Sequence, residues 1–172
     1  MKTNVKEAAA HQVRMDRIQT VSGMFRLLIW ISLALGGYCL LAFFFGWSAP
    51  FADKIRIVAS PGHVYTSPGE MPKAILALVM VRTALAVFGA LVLNSLLRLY
   101  QQGIIFSAKN VGYIRFLGWY LMIDWLVNYQ LQSIAGDMAL STTPLLVGFL
   151  VIFVAWIMDE GRKLQEEQAL TV

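Results

Sequence analysis

Charge is scarce in this chain. Only 14% of its 172 residues are Asp, Glu, Lys or Arg, against roughly a quarter in ordinary soluble domains. Cysteine is nearly missing: Cys39 is the single thiol, which excludes an internal disulfide, and its place inside an apolar run reads as a small packing residue. His11 and His63 are the two imidazoles. They fall on opposite sides of the membrane in the topology derived below, so they share no metal. No phosphate loop, zincin motif or nucleophile elbow is present. No two carboxylates face one pocket, since Asp124 stands alone in its span. The expectation is therefore no enzyme, no metal and no cofactor.

Apolar residues dominate instead, at 58%, with a mean hydropathy of +0.64. A soluble domain of this size cannot hide that much apolar surface, and a disordered chain needs the opposite composition. The chain reads as one integral membrane domain in a lipid bilayer. The net charge of +4 is read as topology rather than as nucleic-acid binding, because Lys and Arg collect in cytoplasmic segments.

Residues 1–20 are polar and mixed in charge, and Val5–Val21 reads as a short amphipathic helix on the membrane surface. The following apolar run is too long for a cleaved signal peptide and lacks a small-residue cleavage site. Four membrane helices are expected, over about 24–47, 73–99, 108–133 and 143–158. Gly36 and Gly37 suggest close helix contact in the first. Residues 48–72 form an extracytoplasmic loop, where Ser60-Pro61-Gly62 predicts a small hairpin between Ile55–Ala59 and Val64–Thr66. Gly103 is placed to end the second helix, and Ser107 to cap the third. Thr143-Pro144 is a helix start, and the fourth helix is expected to continue as a polar extension in the tail, 159–172. The count of basic residues favours both termini in the cytoplasm.

Two opposite charges lie inside the spans. Arg82 is about eight residues (~12 Å) from the outer end of helix two, and Asp124 about seven (~11 Å) from the outer end of helix three. Antiparallel neighbours bring such positions to one depth, so an ion pair is expected. Tyr120, Asn128 and Gln132 follow on about the same face of helix three. This network is read either as a structural clasp or as a substrate, ion or proton site.

The inner connection Leu99-Tyr100-Gln101-Gln102-Gly103-Ile104-Ile105-Phe106 and the ending Gln165-Glu166-Glu167-Gln168-Ala169-Leu170-Thr171-Val172 resemble one family. It is the bacterial four-helix membrane family catalogued as domain of unknown function 2975, with Ala169 where an acidic residue is common. The resemblance implies an all-α protein of the bacterial inner membrane with no assigned catalytic residues. It also implies a small helix-turn-helix regulator as a partner. On that reading Leu164, Glu166, Glu167, Leu170, Thr171 and Val172 of the tail, with Gly103 and Phe106, are the partner-binding residues, and a free C-terminal Val suits a carboxylate-capturing groove. The competing reading is a small transporter, channel or export component, in the form of a homo-oligomer, that uses Arg82 and Asp124.

Overall fold

A computed structural model describes residues 2–45, 57–60, 63–65, 67–104, 106–135 and 141–170. Four long helices make up most of the chain: α1 (Lys2–Phe45), α2 (Lys73–Gln101), α3 (Ala108–Ala135) and α4 (Thr143–Leu170). The amphipathic segment and the first span are one uninterrupted helix, a correction to the separate surface helix expected before residue 24. Nothing at Val21–Met24 stops helical hydrogen bonding, because neither proline nor a capping side chain interrupts it there.

Three helices are long and apolar enough to cross a membrane: α1 over Met15–Phe45, α2, and α4 over Thr143–Gln168. By that measure α3 is not a fourth. It is as long, at 28 residues, but Arg115, Asp124, Asn128 and its tyrosines and tryptophans dilute its hydropathy. It nonetheless runs antiparallel along the full length of α2. Leu131 meets Ile75 and Val79 at one end, and Val111 and Ile114 join Leu96 at the other. Ala155 of α4, fully buried, closes the second cluster. So α2, α3 and α4 form one packed unit with a core at each end.

The segment between α1 and α2 carries the hairpin. Strands β1 (Ile57–Ser60) and β2 (His63–Tyr65) pair antiparallel, with Ile57 opposite Tyr65 and an irregularity before Ser60. Tyr65 packs against the Ile75–Val79–Leu131 cluster, and so joins the hairpin to the helices. The turn residues 61–62 lie outside the described residues.

Helix ends follow the local chemistry. Gly103 has φ +75°, and the Ile104 N–H reaches the Leu99 carbonyl while the Gly103 N–H reaches Tyr100, a Schellman stop. The Ser107 hydroxyl accepts the Asn110 N–H at 3.2 Å, as an N-cap does. Asn110 is fully buried and its side-chain amide donates to the Ile104 carbonyl at 2.6 Å. The α2–α3 connection is thus clamped by its own side chains.

Candidate functional site

Arg82, on α2, and Asp124 and Asn128, on α3, are brought together at mid-unit. Arg82 Nε donates to Asp124 Oδ1 at 3.1 Å, and Nη1 donates to Asn128 Oδ1 at 3.0 Å. Four residues separate Asp124 from Asn128, so both point from one face of α3. Antiparallel packing supplies the matching depth. Tyr120 lies one turn away, its ring against Gly89, where an added Cβ would come within 3.1 Å. Gln132 is half-buried one turn beyond Asn128. The pair is not sealed: the Arg82 side chain is 44% exposed and Asp124 24%. A guanidinium held by one carboxylate and one amide keeps three of its five N–H donors for other acceptors.

Sequence reasoning missed two features. Gly118 and Gly148 meet across α3 and α4, and a Cβ on either would lie 2.9–3.0 Å from the other's carbonyl oxygen. Backbones approach this closely only where both residues lack side chains. The signal available was a lone glycine in the apolar middle of each helix. Arg26 is the second: its Nε donates to Asn94 Oδ1 at 2.9 Å and its Nη1 to Gln101 Oε1, which ties α1 to α2. Gly36 and Gly37, the expected contact points, have nothing within 4 Å of an added Cβ. The two helices splay there and leave an open groove lined by both glycines.

The residues read as partner-binding are dispersed. Leu164 is 59% exposed on the α4 extension, and Phe106 is 51% exposed on the connection. Gly103 is occupied: a Cβ there would lie 2.8 Å from Met15 Cε. Glu166 accepts from Arg162 at 2.6 Å, while Arg162 also holds Asp159 and Lys163 holds Glu160. Glu167 is exposed. Leu170 is the last helical residue, and Thr171 and Val172 lie outside the described residues. Among the described residues no group of three His, Cys, Asp or Glu could hold a metal ion.

These features define a class: a multi-helix membrane protein whose last three helices are packed through small residues and one internal polar cluster. The model of a family described as "Protein of unknown function (DUF2975)" matches residues 67–172, and the chain belongs to that family. The match begins at Ser67, so α1 lies outside it. No curated protein and no solved structure matches the chain.

Proposed function

We propose that this is a non-enzymatic regulatory protein of the bacterial inner membrane that binds a cytoplasmic partner through the α4 extension. The supporting observation is that α4 continues as one helix from its apolar stretch to Leu170, with Leu164 outward on a strongly charged surface. Asp159, Glu160, Glu166 and Glu167 outnumber Arg162 and Lys163, four charges to two, a local net charge of −2. Such a helix suits a basic partner, and DNA-binding modules are basic on their contact face. The family resemblance points to the same class, a small helix-turn-helix regulator. On this reading α3 crosses the bilayer with the three apolar helices, and the gathering of Lys and Arg near the termini and the α2–α3 connection supports a cytoplasmic side for all of them.

Deleting residues 165–172 tests this reading. Membrane insertion and stability should be unchanged, because the α4 residues of the packed cluster, Val151, Ala155 and Met158, all precede the deletion. Crosslinking in cells to a co-encoded helix-turn-helix regulator should be lost, and transcription under that regulator should change. Undiminished crosslinking by the truncated protein overturns the proposal.

A second reading has its own support in the incomplete burial of Arg82 and Asp124: a transport or channel function in which this pair contacts the permeating species. Reconstituted vesicles test it, since Asp124→Asn should abolish any flux that the native protein supports.

A further inference from the structure

A cleft of about 310 Å³ opens where the connection end of α2 meets α1 and the start of α3. Three cations line it, one from each helix: Arg26, Arg98 and Lys109. Asn94, Ser95 and Tyr113 add amide and hydroxyl groups. Among the described residues no carboxylate lines it and none pairs with these cations. Among the described residues Arg26 is held by the amide oxygens of Asn94 and Gln101, which orient the guanidinium without neutralising it. Three unneutralised cations packed together repel one another, and an anion relieves that repulsion.

Beside this cleft lies the apolar groove between the splayed parts of α1 and α2, about 540 Å³ and lined by residues such as Leu33, Gly37, Val87 and Leu93. The two features adjoin: Leu93 of the groove precedes Asn94 of the cleft, and Phe25 of the groove precedes Arg26. Leu33 follows Arg26 by seven residues and Val87 precedes Asn94 by seven, two turns in each case. Both therefore stand on the side of the seam from which Arg26 and Asn94 reach toward each other. A site with a cationic polar head and a long apolar channel, open toward the bilayer, has the chemistry of one ligand class.

We propose that the α1–α2 seam binds an anionic phospholipid, with its phosphate headgroup among Arg26, Arg98 and Lys109 and one acyl chain in the groove past Leu93 and Gly37. Arginine and lysine suit a phosphate oxygen. The unfilled space at Gly36 and Gly37 is then occupied by hydrocarbon, as a groove in a bilayer must be.

The test uses the full-length protein, stripped of lipid in detergent and titrated with phosphatidylglycerol, phosphatidylcholine or inorganic phosphate. Retained lipid is read by native mass spectrometry, and the melting midpoint is followed in parallel. Phosphatidylglycerol should be retained and should raise the midpoint well above the effect of phosphatidylcholine. Arg98→Gln with Lys109→Gln, both at exposed positions, should weaken phosphatidylglycerol retention by ~30-fold, from the contribution of two basic residues near an anionic headgroup. Gly37→Leu should fill the groove and reduce retention while leaving the fold intact, since nothing lies within 4 Å of its added Cβ. Equal retention of phosphatidylcholine overturns the proposal. So does unaltered affinity in the doubly neutralised variant. Stabilisation by inorganic phosphate equal to that by phosphatidylglycerol would mean a free-phosphate site and would also overturn it.

Discussion

The α3–α4 seam and the α1–α2 seam are both antiparallel contacts between membrane helices, yet they are built in opposite ways. In the first, Gly118 and Gly148 let the backbones touch, and Ile114, Val151, Ala155 and Met158 pack beside them. In the second, Arg26 and its amide partners hold one end, and farther along the helices part around empty space. Lipid removes most of the hydrophobic driving force for helix association, so shape and polar bonds must supply it. The tight seam uses shape and the loose seam uses polar bonds. The family match, from Ser67 onward, covers the tight unit and stops short of the loose helix.

The sharpest way to break this contrast is Gly118→Leu. Its Cβ alone would sit 2.5 Å from Ile152 Cγ1 and 2.9 Å from the Gly148 carbonyl, so α3 and α4 must separate. A loss of ~3 kcal/mol or more is expected, at the upper end for overpacked cores, visible as a collapsed melting midpoint or as degradation in cells. Next comes Arg82→Ala, which leaves Asp124 as a lone charge within the packed unit at a cost of roughly 2–3 kcal/mol. Changing both residues to apolar ones should recover most of that loss; losses that merely add would mean that the pair contributes no coupling. Arg26→Leu should cost less, ~1–2 kcal/mol for hydrogen bonds from a charged donor, and should leave the α2–α4 unit intact while crosslinks between α1 and α2 disappear. Smallest of all is Gly36→Ala, expected within ~0.5 kcal/mol of the native protein and stabilising if helix propensity decides the sign. A large loss there would mean that the loose seam is closed by something other than lipid.

Much of this was legible in sequence because it is local or one-dimensional. Gly103, Ser107 and Thr143-Pro144 mark helix ends through backbone chemistry that depends on a few neighbours. The hairpin was legible from its turn residues. Arg82 and Asp124 could be matched because depth along an antiparallel pair needs only residue counting. What escaped depends on how each helix is rotated about its own axis. Gly118 and Gly148 are 30 residues apart, and counting does not say that they face each other. Gly36 and Gly37 carry the same small-residue signal but point into a gap, because α1 and α2 have already begun to diverge. The bonds of Arg26 escape too, since a charge near a span end suits a headgroup anchor with no partner at all. Its partners, Asn94 and Gln101, are neutral amides that no charge-matching argument selects. The limits of α1 were misplaced because polar composition was taken for a change of direction, whereas the backbone has no reason to turn there.

The continuity of α1 has a mechanical consequence. Its 44 residues span ~66 Å at ~1.5 Å per residue, about twice the ~30 Å of a hydrocarbon layer. The 13 residues from Lys2 to Arg14, ahead of the apolar span that begins at Met15, form a ~20 Å arm rigidly joined to it. Lys2 lies ~36 Å along the helix from Arg26, and a change in tilt of ~20° about that anchor, ordinary for a membrane helix, swings the end of the arm by ~12 Å. The pivot is Arg26, whose bonds to Asn94 and Gln101 hold α1 to α2, so a shift of the helix within the lipid is read out as displacement at its polar end.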